Sequence, residues 1–303
     1  MKKRNAILSS VLAGAMLLSL TACGGTDDSS SSSAAETGDS SSAAATGEAS
    51  GEALGADTQA IVDRGILRVG VKNAVVGFGY QDPATGEYSG MEIELAKKLA
   101  GQLGVDVEFT TVTAATRTEL LDSGDIDCVL ATFTITDERK QSWDFTTPYY
   151  TDYVTVLVED SSGITSLADL KGKLVGVSSG STSARSLVEA MIEDGDIEGT
   201  GFSADTFDPA TWTDGVTFQQ FDDYPAISTA LSAGTVDAFC VDKSILAVYK
   251  TEGRSYIDAQ FAPQEYGIAT KKGSDFSTYC NDFVETCLSD GTIDGYISEF
   301  NLG

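Results

Sequence analysis

Histidine is absent from all 303 residues, which removes the commonest general base and the commonest metal ligand at once. Positive charge is scarce as well, with 19 Lys and Arg against 46 Asp and Glu. That balance excludes nucleic acid and anionic lipid surfaces as partners, since both need clustered cations. It leaves an anionic small molecule open, because beyond a screening length of about 8 Å distant charges fade and local Arg or Lys side chains decide. The five cysteines include no C-x-x-C spacing, so neither a zinc knuckle nor a dense disulfide framework is encoded. No metal and no cofactor are expected.

What is present starts with a leader. Lys2, Lys3 and Arg4 precede an apolar run from Ala6 to Leu20, too short to span a bilayer and flanked as a secretory signal is. Leu20-Thr21-Ala22-Cys23 resembles the lipobox of bacterial lipoproteins, in which the Cys is acylated and becomes the mature N-terminus. Residues 24 to 57 are almost wholly Gly, Ser, Ala, Thr, Asp and Glu without an aromatic, and nothing there repays the entropy of folding. This segment reads as a tether of roughly 30 to 35 Å. Signal (1–22), lipidated Cys23 and tether (23–57) place the folded part at the cell surface, anchored to the outer face of the cytoplasmic membrane. Residues 58 to 303 hold 16 basic and 39 acidic side chains, a net charge of −23. Of the other cysteines, Cys128 and Cys240 sit in expected strands. Cys280 and Cys287 share one expected helix, roughly 10 Å apart along its axis and too far to bridge. All four read as core residues.

Ile66 to Val71 reads as a strand, Met91 to Leu103 as an amphipathic helix stopped by Gly104, Val105 to Phe109 as a strand and Arg117 to Ser123 as a short helix ending at Gly124. This alternation gives an α/β class with largely parallel sheets. Leu121-Asp122-Ser123-Gly124-Asp125-Ile126-Asp127 is answered by Leu231-Ser232-Ala233-Gly234-Thr235-Val236-Asp237. Each leads into a buried strand, so the chain reads as two similarly built lobes. A third match, Leu288 to Asp294, leads into helical residues. The first lobe is expected over 58–153 with a return segment at 266–303, the second over 154–265. Strands near 152–157 and 264–269 form the hinge between them. Within the second lobe, Lys173 to Ser178 is its strand, Thr182 to Asp194 its helix, and 195–215 a surface loop.

Ligands of open α/β sheets sit at the C-terminal ends of strands. That rule selects Thr132, Thr134 and Arg139 in the stretch Asp127 to Lys140, where Thr136 is the expected N-cap and Arg139 a fork for a carboxylate. It also selects Asp242 after the strand Ala238 to Val241, and the segment Val177 to Thr182, whose helix start can hold an anion. An Arg and an anion-binding helix start opposite an Asp suit a free α-amino acid, with its carboxylate on Arg139 and Thr182 and its ammonium on Asp242. Asp242 could equally cap the helix that follows it. Phe133 points to the other face of its strand, toward a core.

The segments FTITDERKQSWDFTTPYYTD (133–152), FDDYPAISTALSAGTVDAFCVDKS (221–244) and APQEYGIATKKGSD (262–275), with the VGVKN segment around Gly70 to Asn73, resemble the extracellular amino-acid-binding proteins of ABC importers, solute-binding protein family 3. Among its branches the likeness is to the glutamate/aspartate and glutamine binders. The resemblance implies a two-lobed periplasmic-binding-protein-like (type II) fold, an ABC permease as partner and a monomeric, non-enzymatic role. It assigns Arg139 to the ligand carboxylate together with Thr132, Thr134 and Thr182, and Asp242 to the ammonium. It assigns Arg117, Lys72 and Tyr224 to a distal carboxylate. Glutamate or aspartate is the expected ligand, with glutamine as the alternative. Val75, Val76 and Gly77 replace a common aromatic-Pro element, so the aromatic lid falls to Phe78 or Tyr80. A dehydratase-like enzyme or a sensor on the same fold is the rival of another class. Without His, an enzyme would have only Asp242 as its general acid or base.

Overall fold

The computed structural model describes residues 53–303; the expectations for the signal, Cys23 and most of the tether lie outside the described residues. Helix α1 (Ala56–Arg64) leads into β1 (Ile66–Val71) and a small meander of β2 (Ala74–Val75), β3 (Gly79–Gln81) and β4 (Tyr88–Ser89). Then come α2 (Met91–Leu103), β5 (Asp106–Thr111), α3 (Arg117–Ser123), β6 (Cys128–Leu130), α4 (Arg139–Ser142) and β7 (Trp143–Phe145). The long strand β8 (Tyr150–Glu159) crosses to β9 (Leu174–Ser178), α5 (Ser183–Glu193), β10 (Thr217–Phe221), α6 (Tyr224–Ser232), β11 (Ala238–Asp242), α7 (Lys243–Leu246) and β12 (Arg254–Tyr256). The chain returns on β13 (Phe261–Tyr266) and β14 (Ala269–Lys271) and finishes with α8 (Asp275–Ser289) and α9 (Thr292–Glu299).

Two sheets result. One has the order β5-β1-β6-β14-β7, the other β10-β9-β11-β8-β12 with β13 also on β8. Within them β1 pairs in parallel with β5 and β6, and β9 in parallel with β10 and β11. This is the two-lobed type II arrangement. Helix α2 forms where the sequence predicts, because Leu95, Leu99 and Leu103 fall on one buried stripe. Each such burial is worth about 1.5 to 3 kcal/mol. The left-handed Gly104 (φ 71°) ends the helix, its N–H on the Ala100 and Gly101 carbonyls.

The internal repeat is physical. Asp127 accepts the Arg68 N–H at 2.8 Å, and Asp237 accepts the Leu174 N–H at 2.8 Å. Each acid thus ties the start of its own strand to the neighbouring parallel strand. Two residues on, a Cβ at Gly70 would lie 2.6 Å from Ile126, and one at Gly176 2.6 Å from Ile227 and 3.4 Å from Val236. Each lobe therefore has a glycine here under a close isoleucine, Ile126 of the repeat in the first lobe and Ile227 of α6 in the second.

Three features depart from the sequence reading. Helix α1 starts at Ala56, inside the segment read as tether, because Asp275 of α8 accepts the N–H groups of Asp57 and Thr58 at 2.9 and 3.0 Å. The hinge pairing runs from Tyr150 opposite Tyr266 to Val154 opposite Phe261, a few residues earlier on the return strand than expected. Residues 195–215 form no helix or strand, yet Phe202, Phe207, Trp212 and Phe218 pack together with ring centroids 5.6 to 6.2 Å apart. The expected loop carries its own aromatic core.

Candidate functional site

The first lobe gathers cations at its strand ends. Lys72 follows β1 and is 4% exposed; Arg117 opens α3 and is 3% exposed. Burial pushes the Lys72 ammonium well below its ordinary range, and the adjacent Arg117 charge adds to that. Burial also brings the Arg117 guanidinium down to about 10. The Arg117 guanidinium lies 3.8 Å from the Phe133 ring centre and donates to the Ala131 and Thr132 carbonyls at 3.0 and 3.2 Å. Phe133 is buried as expected, but it lies beyond the end of β6 and in no strand, and its ring supports both arginines, with Arg139 4.7 Å from the ring centre.

Thr132 stands in the left-handed region at φ 44°, unusual for a β-branched residue. Its peptide is held from both sides. Arg117 takes the carbonyl, and Glu92 of α2 takes the N–H at 2.6 Å. Glu92 is wholly buried, also accepts from Tyr149 at 2.6 Å, and has its pKa raised by burial. The Thr132 hydroxyl, Arg117 Nε and Glu92 Oε2 are buried without a hydrogen-bond partner.

Arg139 reaches across the cleft. It donates to Thr134 O at 2.8 Å and to Gly180 O of the second lobe at 3.1 Å. Burial and the Arg117 and Arg185 charges lower its pKa. The N-cap position of α4 falls to Glu138 rather than the expected Thr136, yet the Thr136 hydroxyl still accepts the Arg139 N–H at 3.1 Å. Gly180 (φ 74°) sits at the seam, where a Cβ would lie 2.7 Å from Ala114 O.

The second lobe supplies the acid. Asp242 ends β11, is 5% exposed, and accepts a hydrogen bond from the Tyr266 hydroxyl. Burial and the nearby Asp152 carboxylate raise its pKa to about 7, against the pull of the Tyr266 bond, Arg117 and Arg139. It makes no side-chain cap bond to α7. Tyr224 opens α6 and lies with its ring 5.5 Å beneath the Lys72 ammonium. Thr182, expected to present its hydroxyl at the start of α5, instead donates to Gln264 Oε1 at 2.7 Å, and Thr134 donates to the same oxygen at 2.8 Å. The lobes are thus closed on each other, leaving about 20 Å³ between Lys72, Ser178 and Tyr224, room for about one water molecule.

Eight of the nine expected ligand-site residues line this seam: Lys72, Arg117, Thr132, Thr134, Arg139, Thr182, Tyr224 and Asp242. Phe78 is wholly buried beside it, its ring edge-on to Tyr150 and Tyr266 of the hinge at 5.0 and 5.8 Å. Glu92, Asp152, Gln264 and Tyr266 escape sequence reasoning. A signal existed for Glu92, an acid in the first turn of α2 flanked by the apolar Met91 and Ile93. The other three come together only through hinge pairing. The 195–215 segment also borders the site, since Asp205 and Phe207 wall a cavity of about 330 Å³ into which Arg139 and Arg185 project. Among the described residues no acidic or cysteine cluster could hold a metal ion, and no helix is long and apolar enough to cross a membrane.

Comparison with known proteins gives this cleft a context. A glutamine-binding protein of Geobacillus stearothermophilus is 33% identical over 89% of this chain and 94% of its own length. The glutamate-binding protein GluB of Corynebacterium glutamicum is 29% identical over 84% of this chain and 85% of its own. The structure of an ancestral arginine-binding protein bound to arginine superposes with a TM-score of 0.65 at 34% identity, covering 78% of this chain and 98% of that one. The sequence profile of one family spans residues 67–301, nearly the whole folded part, and the chain therefore belongs to the bacterial extracellular solute-binding proteins, family 3.

Proposed function

We propose that the protein is the lipid-anchored, extracellular substrate-binding protein of an amino-acid ABC importer and that it takes glutamate or aspartate between its lobes. One observation carries the reading. In a folded part with 39 acidic against 16 basic residues, Lys72, Arg117 and Arg139 converge on the cleft, and among the described residues none has a carboxylate within 4.0 Å. Cations held in a desolvated site without a partner anion favour an anionic occupant.

In this reading Arg139 takes the α-carboxylate with the Thr134 and Thr182 hydroxyls, which exchange Gln264 for the ligand. The Thr132 hydroxyl completes that set. Asp242 takes the ammonium. Lys72, Arg117 and Tyr224 take the distal carboxylate, each bond worth about 1.5 to 3 kcal/mol. Because the groups come from both lobes, the closed form gains contacts that the open form lacks, so the ligand itself shifts the balance toward closure. Arginine, the ligand named for the ancestral structure, would set its guanidinium against Lys72 and Arg117. Glutamine is the second reading. Its amide can accept from the same donors, and the Geobacillus relative carries that name.

The Lys2 to Arg4 cluster, the apolar run and Cys23 support secretion and a lipid anchor, and the relatives support a membrane permease as partner. Calorimetry of the purified protein with Glu, Asp, Gln and Arg tests the proposal. Glutamate or aspartate should bind tightest. Tighter binding of glutamine would transfer the assignment to the second reading, and absence of heat with all four would overturn both. Conversion of the bound amino acid on incubation would turn the protein into an enzyme on this fold.

A further inference from the structure

The hinge enters the site. In the antiparallel pairing of β8 with β13, Tyr150 faces Tyr266 and Asp152 faces Gln264, so these four side chains share one face of the ribbon. Gln264 on that face receives the Thr134 and Thr182 hydroxyls, one from each lobe. Tyr266, two residues on and wholly buried, donates to Asp242 and lies 3.4 Å from Asp152 Oδ2.

Asp152 also resolves an oddity of α7. The residue at the helix N-cap is Asp242, a good capping type, yet its side chain caps nothing. The free Ser244 N–H donates instead to Asp152 Oδ2 at 3.0 Å, and the Ser244 hydroxyl donates to the same oxygen. A carboxylate from the hinge strand does the capping, and the one at the cap position is left for other use.

We propose that Tyr266 is a positioning residue whose hydroxyl aims the Asp242 carboxylate at the cleft and favours its ionised form, while Asp152, by capping α7 in place of Asp242, frees that carboxylate to be aimed. The inference rests on the reading of Asp242 as the ammonium site. The groups facing Asp242 from every packed element are Asp152 of β8, Tyr266 of β13, Arg117 of α3, Arg139 of α4, Tyr224 of α6 and Lys72 beyond β1. Of these, Tyr266 alone donates a hydrogen bond to it.

The test is Tyr266→Phe, which keeps the ring packed on Phe78 and Tyr150 and removes the hydroxyl alone. Carboxyl NMR of the ligand-free protein should show the Asp242 titration moved up by about one pH unit, with affinity for every amino-acid ligand down about tenfold at neutral pH and the ranking of ligands unchanged. Asp152→Asn, which removes the neighbouring negative charge, should move the Asp242 titration down. A Tyr266→Phe protein that loses thermal stability while its Asp242 titration stays in place would overturn the inference and leave Tyr266 a packing residue. The NMR arm needs no ligand. If the parent protein bound no amino acid, the proposed function would fail while the titration still decided the role of Tyr266.

Discussion

The two lobes use one scaffold for opposite chemistry. Counting from the matched acids Asp127 and Asp237, five residues on lead to Thr132, two residues past β6 in the first lobe, and to Asp242, the last residue of β11 in the second. Counting from Arg68 and Leu174, the strand residues those acids hold, four residues on lead to Lys72 and Ser178. The backbone positions correspond, but the first lobe fills its strand ends with a cation and a hydroxyl and adds Arg117 and Arg139. The second fills them with an acid and a hydroxyl. A zwitterion laid between them meets positive charge on one side and negative on the other, and only closure brings the two sets together.

The largest effect should come from unequal damage at matched positions. Asp242→Ala strands the ligand ammonium in a buried site and should weaken every amino acid on the order of a hundredfold or more, whereas Thr132→Ala should cost no more than about tenfold. Equal losses in calorimetry would erase the proposed asymmetry. Lys72→Met sharpens it further. Glutamate should lose at least about tenfold relative to glutamine, while Ser178→Ala, the matched change opposite, should leave their ratio alone. Lys72 is the better probe of side-chain reading, since Arg117 also holds the Ala131 and Thr132 carbonyls and its loss would disturb all ligands.

A pH titration separates the acid lobe from the basic one. The Asp242 pKa is raised in the fold to about 7, above the roughly 3.9 of an unfolded Asp. Its contribution to stability is therefore fully present below the unfolded value and is lost as pH rises through about 7. Binding has the opposite sign, because the ammonium needs the ionised carboxylate, so affinity should fall up to about tenfold per pH unit below about 7. Calorimetry and thermal unfolding across neutrality should show the two trends diverging, and Asp242→Asn should flatten both. The smallest effects concern the scaffold. Asp127→Ala should destabilise by about 1 to 3 kcal/mol and Asp237→Ala by about 1 kcal/mol, since Asp127 also holds the Arg68 guanidinium at 2.7 Å and pairs with Arg64. Denaturant unfolding measures the difference.

Much of this was legible in the chain. The stripe of Leu95, Leu99 and Leu103 closed by Gly104, the short helix from Arg117 to Ser123, and the strand-to-helix junctions at Thr132 and Asp242 all depend on neighbours in sequence, so periodicity and capping rules reach them. The charges of the site were legible as residue types. Where each hydroxyl and carboxylate turns was not. Thr134 meets Gln264 across 130 positions, and Tyr266 meets Asp152 across 114. Asp242 stands where a local rule makes it a cap, and a carboxylate 92 positions from Ser244 takes that task instead.

By itself, then, the sequence determined the α/β lobes, the repeat that builds them, the surplus of acid and the positions where strands end, because these follow from interactions within a turn or two of the chain. The tertiary structure alone decided that three cations gather with no partner carboxylate among the described residues, that Glu92 and Arg117 hold a strained Thr132, and that the hinge strand supplies Gln264 and Tyr266 to both lobes. Those outcomes depend on which distant groups lose water together, and burial of that kind is a property of the packed molecule rather than of any segment.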